Sequence, residues 1–196
     1  MKTLVIDIHA HFTPKLLIKN FDAHAAKFSG VKLLRDPGGG PPRIQFPGTE
    51  PTRPVFPRLS DLADRRAWMD KNGIDHQLVG GWLDSFGYEL PAREGLAWSR
   101  FINDCMWDEL HGEPRFTPLA TVPLQDGKLA AEVLGEAMDR GFGGVRSARC
   151  PRASVAATST TRRSIRSGTR LPGWAPPSIC TRCSSAASRG WPTMTS

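Results

Sequence analysis

Apolar and polar positions change period several times along the chain. The run Leu4-Val5-Ile6-Asp7-Ile8 is short and β-branched and predicts a strand over 3–8, running directly into His9-Ala10-His11-Phe12. From Pro14 to about Arg58 no period is sustained. Asp36-Pro37-Gly38-Gly39-Gly40-Pro41-Pro42 breaks the chain there, so 14–58 reads as an irregular loop insertion. Helical spacing returns with Leu59, Leu62 and Ala63, with Ser60 as the expected N-cap and Asn72-Gly73 as the expected left-handed end. Residues 74–82 predict a second strand, with His76 as a strand-edge residue. Over 92–111, Trp98, Phe101, Ile102, Cys105, Met106 and Leu110 recur at helical spacing and form a core stripe. Cys105 reads as an inert small hydrophobe on that stripe. His111 needs no partner beyond the last carbonyls of the helix. A third strand is expected over 116–122. Ala130, Val133, Leu134, Ala137 and Met138 then make a helix stopped by Gly141, and 143–146 starts a short fourth strand.

The resulting order is β-α-β-α-β-α-β, with connections too long for hairpins. Such an order predicts an α/β fold with a parallel sheet and helices outside it. Four units are the N-terminal half of a (β/α)8 TIM-type barrel, whose chemistry gathers at the C-terminal ends of its strands.

Charge divides the chain where periodicity ends. The 196 residues carry a net +7, yet residues 1–139 hold 16 Lys and Arg against all 19 acids. Residues 140–196 hold ten Arg and no acid, and 147–196 contain ten Ser and seven Thr. The expected domains are therefore 1–146, a partial barrel, and 147–196, a disordered basic tail. No apolar run is long enough to span a membrane, and no signal-peptide core opens the chain. Four cysteines do not make a disulfide framework at this length, so a cytoplasmic location is expected. Cys180-Thr181-Arg182-Cys183 lacks a second pair or a histidine and is a weak zinc motif.

Among the candidates for chemistry, His9 and His11 come first. Side chains alternate along a strand, so both point the same way. Two neutral imidazoles side by side are half of a transition-metal site. Arg53, in Arg53-Pro54-Val55, is a candidate anion contact, although spacing alone reads it as a solvated arginine.

Taken in order, these segments resemble the metal-dependent amidohydrolase superfamily, in the branch of aminocarboxymuconate-semialdehyde decarboxylase and related decarboxylases. The resemblance is carried by Ile6-Asp7-Ile8-His9-Ala10-His11-Phe12, Arg53-Pro54-Val55 and Met69-Asp70-Lys71-Asn72-Gly73-Ile74-Asp75. Phe86-Gly87-Tyr88, Phe101-Ile102-Asn103-Asp104 and Leu119-Ala120-Thr121-Val122-Pro123-Leu124-Gln125-Asp126 extend it, over about residues 3–146. It implies one divalent metal, usually zinc, with His9 and His11 as first-strand ligands. Arg53 matches the family arginine that binds a substrate carboxylate. The implied activity is decarboxylation of a small carboxylate, with hydrolase or hydratase chemistry as the alternative. Relatives are often dimers, so a homodimer is compatible. The family's other functional groups are histidines on strands five and six and an aspartate on strand eight. This chain is expected to end its family resemblance after strand four and to be truncated and inactive.

The tail admits two further readings. One is a non-enzymatic fragment whose arginines bind nucleic acid or an anionic surface, which their scatter and the lack of lysine disfavour. The other is the family sequence read out of frame. Under one permitted codon choice, Pro177 to Cys183 conceals Thr-Ile-Tyr-Leu-His-Pro-Met, a strand ending in His-Pro. The nucleotide sequence from about codon 147 tests this: a long alternative open frame is expected, and an early stop codon excludes it.

Overall fold

The computed structural model describes residues 3–147. All but the first residue of the tail lies outside the described residues, as do Cys180 and Cys183. Three strands form a parallel sheet in the order β1 (Ile6–Phe12), β4 (His76–Gly81), β5 (Phe116–Leu119). Helices α2 (Leu62–Lys71) and α3 (Ala92–Leu110) make the crossovers, and α4 (Gly127–Arg140) follows β5. Beyond it, Val145 forms a parallel bridge to Ala120, so the fourth strand expected over 143–146 is present as that single pairing. Three consecutive β/α steps in a parallel α/β arrangement, followed by this bridge, are thus observed among the described residues.

Strand β1 departs from the expected 3–8. It runs on through both histidines, because His11 and Phe12 pair with Gly80 and Gly81 and Phe12 is fully buried. The expected cap Ser60 is also displaced by one residue. Ser60 is buried behind the short 3-10 turn Pro57–Leu59, and Asp61 caps α2 by accepting the N–H groups of Ala63 and Asp64. The same Asp61 carboxylate takes the Lys15 ammonium at 2.8 Å, and these donors hold its pKa down at about 2. The expected end of α2 is met: Gly73 adopts φ +65°, and the Ile74 N–H reaches back to the Met69 carbonyl.

The largest difference lies in 14–58, which is not an irregular loop. It contains α1 (Lys15–His24) and an antiparallel pair, β2 (Lys32–Leu34) with β3 (Arg43–Gln45). Leu17, Phe21, Phe28, Val31, Ile44 and Phe46 from this region close over Leu90, Trp98, Phe101, Ile102 and Cys105. A second cluster lies under the sheet, where Phe12, Met69, Val79, Met106, Leu110 and Phe116 meet. Helix α3 serves both, one stripe facing the excursion and the other the sheet. Cys105 is buried as expected, and burial pushes its thiol up to about 12, so it stays protonated and inert.

Candidate metal centre

The pairing of β1 with β4 slips by one residue between Asp7 and Ala10. This bulge inverts the alternation. Ala10 and Phe12 turn down into the helix-covered side, while Ile6, Ile8 and His9 are exposed and His11 is half-buried. Asp7 anchors the bulge: one carboxylate oxygen accepts the His9 N–H at 3.0 Å and the other accepts the Gln77 amide at 2.8 Å. Behind it, Arg65 donates to Gln77 Oε1 at 3.3 Å and to the His11 carbonyl at 2.6 Å, with its guanidinium 5.5 Å from the Phe12 ring. The backbone that presents the two imidazoles is therefore fixed from below by polar contacts.

Above the sheet the imidazole rings of His9 and His11 stand edge to face, 5.4 Å between centroids. His11 Nδ1 faces the Gly81 carbonyl at 3.1 Å, so that nitrogen carries the proton and Nε2 presents its lone pair. Burial is the main reason the His11 pKa lies below its ordinary value, with the nearby Arg146 charge adding to it. Neutral imidazole with an oriented Nδ1–H is the form that binds a metal through Nε2. Both Nε2 atoms converge on one nitrogen, Nη2 of Arg146, at 2.6 Å from His9 and 3.3 Å from His11. A cationic group thus already occupies the point the two lone pairs share. The donor set fits a borderline divalent ion. Among the described residues, no group of three or more His, Cys, Asp or Glu side chains could hold a metal ion, so the pair is a partial ligand set.

Arg53 is placed one step further along the same end of the sheet. Its guanidinium lies 5.5 Å from the centroid of Trp82, the residue after the Gly81 that orients His11. It grips Asp84 with both arms, Nε to Oδ2 at 2.8 Å and Nη2 to Oδ1 at 2.9 Å. That pairing raises the Arg53 pKa, and the side chain is 69% exposed. A cleft of about 200 Å³ opens beside Asp84, lined by Phe46, Thr52, Leu83 and Tyr88 among others.

The other histidines have local explanations. His76 Nε2 meets Thr117 Oγ1 at 2.8 Å across the sheet, as a strand residue should. His24 stacks on Phe101, and His111 Nδ1 reaches the Trp107 carbonyl at 2.8 Å. The residues that sequence reasoning missed are Asp7, Arg65, Gln77 and Arg146. The first three act through the backbone, which periodicity does not report. Arg146 lies 135 residues from His11. Its one sequence signal is Gly80-Gly81 at the end of β4, where absent side chains leave room for another residue to cross.

No protein-family model matches the chain. It is 29% identical over 138 residues to the 2-amino-3-carboxymuconate-6-semialdehyde decarboxylase of Caenorhabditis elegans, a match covering 69% of this chain and 33% of that protein. Its structure is similar to that of 5-carboxyvanillate decarboxylase from Sphingomonas paucimobilis, with a TM-score of 0.58, 20% identity, and coverage of 84% of this chain and 49% of that one. It is similar also to 5-carboxyvanillate decarboxylase from Novosphingobium aromaticivorans, solved with manganese and 4-hydroxy-3-methoxy-5-nitrobenzoic acid. There the TM-score is 0.56, with 21% identity, and 83% of this chain aligns with 47% of that one. At these identities the solved structures show the fold alone, a parallel α/β sheet with helices in its crossovers. The chain spans about a third of the curated relative and about half of the solved chains. The resemblance to the aminocarboxymuconate-semialdehyde decarboxylase branch of the amidohydrolase superfamily holds, and the partial coverage fits its N-terminal half. Among the described residues no helix is long and apolar enough to cross a membrane.

Proposed function

We propose that residues 3–147 are the metal- and carboxylate-binding half of a decarboxylase-type site, a carbon–carbon lyase acting on a small aromatic carboxylate. His9 and His11 are two ligands of one divalent ion, zinc in the family reading, and Arg53 receives a substrate carboxylate. The observation that carries this reading is the convergence of the His9 and His11 Nε2 atoms on one cationic point, with the His11 ring oriented by the Gly81 carbonyl. When bound, a divalent ion supplies Lewis acidity to such a reaction. The chain's own part is to hold the Nδ1 proton of His11 on the Gly81 carbonyl and so keep Nε2 free of it. Arg53 offers a planar fork suited to a carboxylate, and a substrate competes with Asp84 for it. Two imidazoles fall short of the three protein ligands usual at a catalytic centre, so the chain is proposed to bind metal and to be inactive in turnover.

The test is metal content after dialysis against Zn²⁺ or Mn²⁺, in a Cys180→Ser/Cys183→Ser background that removes the thiols as competing ligands, with 5-carboxyvanillate as the turnover probe. The expected result is metal uptake that His9→Ala or His11→Ala abolishes, with no release of carbon dioxide. Uptake indifferent to both substitutions overturns the ligand reading, and measurable turnover overturns the inactivity.

A further inference from the structure

We propose that Arg146 is a built-in competitor for the metal position, an intramolecular cation that must leave before a divalent ion can take both imidazoles. The inference rests on the reading of His9 and His11 as ligands. Its first support is the geometry of one atom. Arg146 Nη2 lies 2.6 Å from His9 Nε2 and 3.3 Å from His11 Nε2, so a single donor nitrogen spans both acceptors. Because the His11 Nδ1–H is committed to the Gly81 carbonyl, the Nε2 lone pair is the one that accepts from Arg146. A metal–nitrogen bond and an N–H···N hydrogen bond need that same lone pair, and each imidazole has only one. Guanidinium and divalent ion therefore exclude each other, and like charge strengthens the exclusion.

The second support is independent of the histidines and concerns how Arg146 arrives. Its backbone is tied down: the Arg146 N–H donates to the Ala120 carbonyl at 2.8 Å, and the Ala120 N–H donates to Gly144 at 2.8 Å. From there the side chain crosses β4 at Gly80. A Cβ on Gly80 would lie 2.2 Å from Arg146 Cδ, 2.7 Å from its Cβ and 3.0 Å from its Cγ. The crossing exists because position 80 has no side chain. Backbone pairing, a glycine gap and a two-acceptor terminus together make one seat for this side chain.

The experiment uses the full 196-residue chain and titrates Zn²⁺ while following the imidazole ¹⁵N resonances of His9 and His11. That readout is specific to the pair and ignores zinc taken elsewhere, for example by Cys180 and Cys183. Arg146→Met keeps an unbranched stem over Gly80 and removes the donors. Gly80→Ala leaves the donors and blocks the crossing. Both variants are expected to bind zinc roughly 10- to 100-fold more tightly than the parent, the range of one charge-assisted hydrogen bond. Should Arg146→Met lose its near-ultraviolet circular dichroism, Gly80→Ala and Arg146→Gln carry the same comparison. If zinc shifts both resonances at the same midpoint in every variant, the ligands stand and the competitor alone is wrong. If zinc shifts neither resonance in any variant, the ligand reading fails and the competitor fails with it.

Discussion

Residues 14–58 and residues 62–141 bury the same kinds of side chain by different routes. In 62–141, the strands close on the preceding or following strand of the β/α frame. Strand β4 pairs with β1 and β5, and the helices between them cover one face. In 14–58, α1 and the β2–β3 pair find their cover on α3, dozens of residues later. The first region can be read from its period, because α3 spans 19 residues and α4 spans 14. The second cannot, because β2 and β3 have three residues each and α1 buries only Leu17 and Phe21 along ten. A period needs more repeats than that to stand out. The difference teaches that α3 is the hinge of the architecture, and that the excursion is stable only as long as α3 offers it a face.

Trp98 gives the sharpest way to break that dependence. It is fully buried, touches Phe28, Phe46 and Phe101 ring to ring, and donates its indole N–H to the Ser85 carbonyl at 2.8 Å. Trp98→Ala should cost about 3–5 kcal/mol, the range for deleting a large buried aromatic. The loss should fall mainly on the excursion. Limited proteolysis is expected to cut within 14–58 well before it cuts within 62–141. Cleavage spread evenly over both would show that they form one cooperative unit and differ only in sequence pattern.

Asn103 tests the other side of α3. Its amide donates to the Thr121 carbonyl at 2.9 Å and accepts the Thr121 N–H at 2.8 Å, all in buried surroundings. Asn103→Ala strands two backbone groups, at roughly 2–3 kcal/mol in total. Here the excursion should survive and the junction after β5 should loosen, seen as faster amide exchange at 120–122 than at 17–21. Equal acceleration in both segments would contradict the separation.

How far sequence reading carried follows the same line. The capping glycines, the α3 stripe and the order of strands are local or periodic features, and they were legible. The placing of both histidines on one face was legible too, but for an incomplete reason. Simple alternation accounts for His9 and His11 pointing together. It does not account for their sharing the exposed face with Ile6 and Ile8, which requires the slip after Asp7. That slip is held by Gln77, and Gln77 by Arg65, contacts across 70 and 12 residues. Arg53 was legible only as a family match. Nothing in its spacing announces Asp84, 31 residues on, as the carboxylate it holds. Arg146 was legible only as the start of a strand.

Gly141 offers a smaller and strictly local test within the periodic region. It ends α4 at φ +103°, and a Cβ there would stand 3.1 Å from Trp107 Cη2. Gly141→Ala is expected to cost about 1 kcal/mol through the left-handed backbone. Urea midpoints should register that loss while the pattern of proteolysis stays as in the parent. A change in cleavage within 14–58 would mean that α4 supports the excursion through α3, and that the two regions are coupled more widely than their contacts indicate.

The smallest effect is expected where the two regions are joined by charge. Helix α1 begins after Pro14 with no side-chain cap of its own. Glu109, from α3, supplies one, accepting the Leu16 N–H at 2.5 Å. Burial pushes the Glu109 carboxyl above its ordinary pKa, and the N–H donors of Leu16 and Lys15 offset that only in part. A carboxyl with a raised folded-state pKa binds its proton more tightly in the folded chain than in the unfolded one. Its contribution therefore favours folding at low pH and is lost as pH rises from the unfolded value of 4.5 through the folded one. Glu109→Gln keeps an acceptor for Leu16 without a charge to desolvate. The variant should match or slightly exceed the parent in urea midpoint at pH 7, and it should lose the parent's decline as pH rises above 4.5. A clear drop at pH 7 would reverse the ranking. It would mean that the carboxylate's pull on the first turn of α1 exceeds the cost of burying it, and that charge as well as packing holds the excursion to the β/α frame.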